Sequence, residues 1–398
     1  MFVERYQKLF ALPGVRSLLI LIFLTRIPVA AAGMTLTLHV VLDLGRGYGA
    51  AGLVGGASTI GIAIGAPLYG RFIDRYGLRR ALVITTVGET AFWATAPLMP
   101  YPVLLPMAFL GGLLAIQPMS IGRQAVAALV PEAQRRTAYS LDSISVELCF
   151  MVGPVVAVAL ATQVSTSVAL LVLAAGFLAT GVSLFIFNPP LRGSDEVTVD
   201  RPPRSEWLSR RLIGVLLVGF GAVFVLAGTE VTMIAVLRQH NEVEWAGAAT
   251  VILCLASIAG GLVHGAVRKS LSQVVLMASL GALTMPVLFV DSTWWILALA
   301  LAPASAMCAP TIASTGERVA QLVPVAVRGE ATGLQSSAFT CGVALGSPAI
   351  GFVVDHSGSP GWGFVGAGAG GLVIAACAAM LIRRSPAPAL AEPASVKV

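Results

Sequence analysis

The stretch Gly70-Arg71-Phe72-Ile73-Asp74-Arg75-Tyr76-Gly77-Leu78-Arg79-Arg80 decides how this chain is read. Four arginines, one aspartate and two glycines stand between two apolar runs. Gly52 to Tyr69 carries no charge, and Ala81 to Met99 carries only Glu89. Such a block fits a tight turn between two membrane helices, its arginines facing lipid phosphates. Gly70 and Gly77 are expected to supply the positive-φ backbone of a loop only a few residues long. Asp74 can accept from backbone N–H groups at a neighbouring helix N-terminus, where the dipole favours an anion.

The rest of the chain agrees with a membrane. Of its 398 residues 57% are hydrophobic and 11% charged, whereas about 25% charged is usual for soluble domains. The 42 glycines suit helices that approach closely in lipid. The net charge of +6 does not point to nucleic acid, because only Lys8, Lys269 and Lys397 are lysines and no basic patch interleaves with aromatics. Loops facing an anionic leaflet explain it better. Cys149, Cys254, Cys308, Cys341 and Cys377 are scattered singly, with no metal or disulfide spacing, and read as small packing residues. A short interfacial helix is expected within residues 1–16. Arg26 interrupts the apolar run that follows, which argues against a cleaved signal peptide.

The expected fold is all-α, with twelve transmembrane helices in two pseudo-symmetric six-helix halves. The spans are 16–42, 48–70, 80–98, 101–123, 137–162 and 166–188, then 211–237, 245–267, 271–291, 293–317, 329–354 and 361–382. Residues 1–188 form the first half, the Pro-rich, charged stretch 189–210 a linker, and 211–398 the second half with a short tail. With both termini on one side, every basic residue except Arg26, Arg46 and Arg238 falls on that side, which the positive-inside rule makes cytoplasmic. Trp93, Trp245, Trp294, Trp295 and Trp362 then fall near the outer interface. An internal repeat supports the halves: Leu129-Val130-Pro131-Glu132-Ala133-Gln134-Arg135 recurs 193 residues later as Leu322-Val323-Pro324-Val325-Ala326-Val327-Arg328. Gly153 matches Gly346 at the same offset.

The opening block, a Gly, three residues, Asp-Arg, one residue, Gly and a basic run, resembles the loop signature of the major facilitator superfamily of transporters. The resemblance implies that Asp74, with Gly70, Arg75, Gly77, Arg79 and Arg80, latches the two halves on the cytoplasmic side in the outward-open state. The arginines, Arg71 included, are expected to pair with Asp74 or with lipid. Leu78 stands where the family pattern usually has a basic residue. The corresponding loop of the second half, Gly265-Ala266-Val267-Arg268-Lys269, has no aspartate, so the latch is one-sided. Gly153-Pro154 resembles the exporter motif of the fifth helix. Its flanking glycines are missing, with Cys149 and Ala157 near their places, and the eleventh helix carries a fuller version from Gly342 to Gly351. Ala108 stands near the place of the superfamily's fourth-helix arginine.

Ionisable residues within spans are costly and are treated as sites. Arg26 lies ten residues beyond Arg16 and Glu147 eleven beyond Arg136, about 15 and 16 Å deep at 1.5 Å per residue. Equal depth predicts an Arg26–Glu147 pair facing the central cavity. Glu89 reaches a similar depth and is a candidate for either packing or coupling. Asp142 suits Arg123 as a structural pair. Glu230, the one acid well inside a span of the second half, joins Glu147 as a proton-coupling candidate. Met34, Met151, Met233 and Phe224 offer apolar surface. Thr35, Thr37, Gln117, Thr229 and Thr232 are the best polar groups for a hydrophilic cargo. No Walker sequence and no Ser/His/Asp arrangement occurs, so neither ATP-driven transport nor an enzyme is expected. A proton gradient is the expected energy source, with no cofactor, and the protein is expected to act as a monomer among membrane lipids. The resulting expectation is a bacterial inner-membrane, multi-pass, proton-coupled exporter of an amphiphilic or hydrophobic small molecule, of the drug-resistance or metabolite-efflux kind. The alternatives are an importer or symporter of a polar metabolite, or a lipid-handling or sensor protein of the same fold.

Overall fold

The computed structural model describes residues 2–192, 202–267, 270–290 and 292–383, and the chain is helical almost throughout. The middle of the expected linker, the pair Arg268-Lys269 and the tail from 384 lie outside the described residues. A short helix α1 (Phe2–Phe10) precedes α2 (Val15–Leu38), α3 (Tyr48–Tyr76), α4 (Leu78–Thr95), α5 (Tyr101–Leu113), α6 (Pro118–Leu129), α7 (Glu132–Gln163) and α8 (Thr166–Phe187). The short α9 (Arg204–Trp207) leads into α10 (Arg210–Gln239), α11 (Ala246–Ala266), α12 (Gln273–Thr284), α13 (Trp294–Ser305), α14 (Cys308–Leu322), α15 (Arg328–His356) and α16 (Trp362–Arg383).

Among the described residues, ten helical stretches are long and apolar enough to cross a membrane. Two more passes complete the up-and-down order. One is α4, which carries Arg79, Arg80 and Glu89, and the other is α12 continued by the 3-10 turn Met285–Phe289. Helix bonds every backbone group within its own segment, which lipid demands because it offers no water to bond. Two expected spans are broken rods. The stretch 101–129 divides into α5 and α6 around 114–117, and 294–322 into α13 and α14 around Ala306-Met307.

The two bundles repeat each other in detail. Gly153 of α7 lies so close to Ala30 and Ala31 of α2 that an added Cβ would collide with them. At the same offset of 193, Gly346 of α15 lies against the backbone of Phe224 of α10. α3 packs on α15 and α7 on α11 and α14, which joins the bundles.

Burial along α7 and α15 shows where the bundles part. From Arg328 to Gly333 every residue of α15 is buried, and α7 is buried almost all round from Thr137 to Ile144. Beyond Ser336 on α15 and Ile144 on α7, only the stripes Gly342, Gly346, Ile350 and Cys149, Gly153, Ala157, Ala161, spaced by four residues, stay buried. A single stripe is the contact face toward one neighbour. The bundles therefore touch at the end bearing the Gly70–Arg80 block, termed here the basic face, and diverge toward the opposite face.

Two details differ from the sequence reading. The block is not a loop: α3 runs through Tyr76, and Gly77 alone, at φ 86°, makes the turn into α4. Gly70 is helical and serves a close approach instead. Trp93, near the outer end of α4, is turned inward, 5% exposed and stacked on Phe177 in the first bundle, whereas Trp245, Trp295 and Trp362 are exposed near the opposite face.

Candidate functional site

At the basic face, the Asp74 carboxylate reaches from the last turn of α3 to the first turn of α15. Its Oδ1 accepts from the Gly329 N–H at 3.0 Å and its Oδ2 from the Glu330 N–H at 2.9 Å. Both N–H groups belong to the first turn of α15, where the helix dipole attracts an anion. Two glycines permit the approach, because a Cβ on Gly70 would overlap the Gly329 carbonyl oxygen. The Glu330 side chain, 1% exposed, takes Arg204 Nε at 2.9 Å, which ties α9 to the same corner. Trp207 of α9 is buried among Val319, Val323 and Val327. Arg75 stacks over Tyr76 and Arg79 over Phe185, where its Nε also meets the Phe185 carbonyl at 3.3 Å. Arg71 and Arg80 are exposed.

Further bonds between the bundles crowd the same end. Thr137 donates to the Gly265 carbonyl at 2.7 Å, Ser120 and Thr332 share a bond of 2.8 Å, and Arg136 meets Glu317 at 3.5 Å. α1 crosses to the far bundle through Tyr6 to Leu262 O and Arg5 to Val267 O. Nearest the divergence are Ser337 to Ala63 O at 2.6 Å and Ser257 to Glu147 Oε1 at 2.8 Å.

The expected Arg26–Glu147 pair is not formed. Arg26, fully buried, binds Asp142 Oδ1 at 2.6 Å and also donates to Ser145 Oγ at 2.6 Å. α2 and α7 both start at the basic face, so their side chains share one tilt. The long Arg26 side chain reaches the carboxylate on α7 that lies five positions nearer that face than Glu147. Arg123 Nε lies 3.7 Å from Asp142 Oδ2, so one carboxylate stands between two guanidinium groups. Arg123 also faces the Phe339 ring of the other bundle at 4.8 Å.

Glu89 and Glu147 both attend a helix break. Glu89, 4% exposed on α4, accepts the Ile116 N–H at 2.7 Å, just before α6 begins. Glu147 accepts from Ser257 Oγ, which accepts the Ala309 N–H at 3.2 Å in the first turn of α14. Ile116 and Ala309 are 193 residues apart, hence equivalent in the repeat. Cys254 and Cys308 flank the Glu147 carboxylate, and Cys254 lies within electrostatic reach of Glu230 as well. Glu230 is on the exposed stripe of α10 with Leu226 and Ile234. Sequence reasoning missed Ser257 and Ala309 because neither is charged; the repeat offset applied to Ile116 was the one available signal.

Gly153 packs on α2, and Pro154 follows it within α7. Met233 is buried in its bundle and Phe224 packs on α15, while Met34 is exposed. Thr35, Thr37 and Thr232 donate to carbonyls of their own helices, and Gln117 to the nearby Ala115 O. At the opposite face, the π-helical turn His39–Asp43 joins α2 to α8, with His39 Nδ1 3.1 Å from Thr166 Oγ1.

Comparison with known proteins places this geometry. The model of the Major Facilitator Superfamily matches residues 18–273 and 240–397. No curated protein sequence matches the chain. Among solved structures, a human organic anion transporter superposes with a TM-score of 0.68 at 18% identity, covering 93% of this chain and 99% of that one. The fucose:proton symporter of E. coli gives 0.68 at 17%, covering 94% and 98%. A bacterial homologue of the iron transporter ferroportin, in an outward-facing state, gives 0.73 at 13%, covering 93% and 99%.

Proposed function

This chain belongs to the major facilitator superfamily, and on that premise we propose that it is a proton-coupled exporter of an amphiphilic or hydrophobic small molecule. Membership makes it a multi-pass secondary transporter of a small-molecule substrate rather than an enzyme. The three similar structures carry chemically unlike cargoes, so cargo and direction have to be argued from this chain's own residues.

The observation that carries the proposal is the Glu147 carboxylate at the floor of the divergence, held by a hydroxyl of the other bundle. An acid that bridges two rocking halves changes its surroundings whenever they rock, which is what coupling to a proton requires. Glu230, on the exposed stripe of α10, is the second acid of the same region. The cargo class follows from the polar inventory. A polar cargo needs free hydrogen-bonding side chains, and of the five candidates Thr35, Thr37, Thr232 and Gln117 donate to nearby carbonyls, while Thr229 is buried. Apolar groups such as Met34, Leu148, Phe150 and Leu345 are exposed beyond the closed end.

On this reading the basic face is cytoplasmic, as the distribution of arginines favours, both termini are on that side, and the membrane is the bacterial inner membrane. The Asp74 contacts then latch the outward-open state. The test is a panel of amphiphilic cations, neutral amphiphiles and polar metabolites in inverted vesicles with an imposed pH gradient. The expected result is gradient-driven accumulation of an amphiphile, lost in Glu147→Gln or Glu230→Gln while counterflow persists. Accumulation of only polar metabolites, or both variants keeping wild-type gradient-driven accumulation, refutes it.

A further inference from the structure

The two helix breaks occupy equivalent positions of the repeat but are wired differently. In the first bundle, Ile116 N–H is taken directly by Glu89 of the same bundle, and that carboxylate is 4% exposed. This break is self-contained. In the second bundle, Ala309 N–H meets Ser257 Oγ, itself 2% exposed, and the Ser257 hydroxyl donates across the interface to Glu147. The second break therefore answers to a carboxylate of the other bundle.

We propose that Ser257 is the positioning residue through which the charge of Glu147 controls the α13–α14 break. The inference rests on the proton-coupled reading above and names how that site acts. Ionised Glu147 accepts the Ser257 hydroxyl, which fixes the Ser257 lone pairs toward Ala309 N–H and holds α14 to α11 and α7. The N-terminal end of α14 also favours the negative charge. A proton on Glu147 removes the charge-assisted bond and frees the hydroxyl to turn away. The rod from 294 to 322 then bends at Ala306-Met307, and the bundles lose their bond nearest the divergence on the α7–α11 side. Its counterpart on the α3–α15 side, Ser337 to Ala63 O, contains no titratable group.

Two other groups face this carboxylate, Cys254 from α11 and Cys308 from α14. Glu230 of α10 lies within electrostatic reach of Cys254, and the Arg26–Asp142–Arg123 cluster lies nearer the basic face on α2, α6 and α7. His264 of α11 lies close to the basic face and bonds Ser270. A Glu147→Gln control separates all of these from Glu147 itself.

The experiment uses the full chain in lipid nanodiscs. Nitroxide labels go on Val164→Cys and Phe289→Cys, exposed near the opposite face on the two bundles, with Cys341 and Cys377 replaced by serine. Pulsed electron resonance then reads the open fraction in a pH series from about 8 to about 5.5. The wild type is expected to change its open-to-closed ratio about tenfold or more, the effect of one hydrogen bond to a charged group. Glu147→Gln is expected to be fixed at the low-pH distribution. Ser257→Ala is expected to respond less than about twofold, while still binding its proton by a pH-indicator dye, and Ser257→Thr to restore the response. If Ser257→Ala does not fold, Ser257→Cys, a weaker donor of similar size, is expected to give an intermediate response. A full wild-type response in Ser257→Ala or Ser257→Cys overturns the inference alone. A wild type insensitive to pH overturns the coupled reading together with it.

Discussion

Asp74→Asn tests the contact between the bundles most directly. In the structure the carboxylate takes two backbone N–H groups, at 3.0 and 2.9 Å, at the first turn of α15. Hydrogen bonds to a charged group contribute about 1.5–3 kcal/mol each, and a helix-terminus charge about 0.3–1 kcal/mol more. Asparagine offers one carbonyl oxygen and turns an NH2 group, itself a donor, toward the second N–H. It loses one bond and the charge, about 2–3 kcal/mol, or roughly a 30- to 150-fold shift in the ratio of open to closed molecules. The loss falls on the state open at the opposite face, because in that state the basic ends meet. The Val164–Phe289 label pair is expected to show a shorter mean distance in Asp74→Asn, and Asp74→Glu to recover part of the long-distance population. An unchanged distance distribution in both Asp74→Asn and Asp74→Ala refutes the reasoning, since the contacts would then be carried by the remaining bonds of the basic face alone.

Two further outcomes are expected. Arg26→Met strands Asp142 beside Arg123 alone, and Asp142→Asn leaves two buried guanidinium groups. Either is expected to cost about 3–5 kcal/mol, and Arg26→Met/Asp142→Asn, which still leaves Arg123 buried, to cost less than the two single changes added together, as read by thermal unfolding in detergent. A double variant as unstable as the sum of the singles argues against a direct pair. Glu89→Ala is expected to destabilise the fold by about 1–3 kcal/mol through the orphaned Ile116 N–H. Glu89→Gln keeps an acceptor and is expected to leave the pH dependence of transport unchanged. A displaced pH profile in Glu89→Gln would assign this residue to coupling after all.

Hydropathy, arginine placement and the 193-residue repeat make the membrane class and the twofold plan legible in the sequence, because each is a property of local composition or of spacing along one chain. The breaks within 101–129 and 294–322 are not legible in that way. Gly111-Gly112 and Pro118, the first residue of α6, are local signs of the first interruption, but similar signs such as Pro28, Pro67 and Pro154 lie inside unbroken helices. The reading of Gly70 failed for a related reason. Its missing Cβ is required by Gly329, some 259 positions along the chain, not by its own backbone angles.

Partners were the other thing only the tertiary structure decided. Depth along a helix axis made Glu147 the expected neighbour of Arg26, but the direction and length of each side chain choose between candidates a turn or two apart, and Arg26 meets Asp142. That choice left Glu147 to the second bundle, where an uncharged serine receives it. Sequence by itself determined that buried charges must be paired, since an isolated charge in lipid costs too much to persist. Which group each one meets was decided by packing, because pairing energy depends on a few ångströms of approach that only the assembled bundles set.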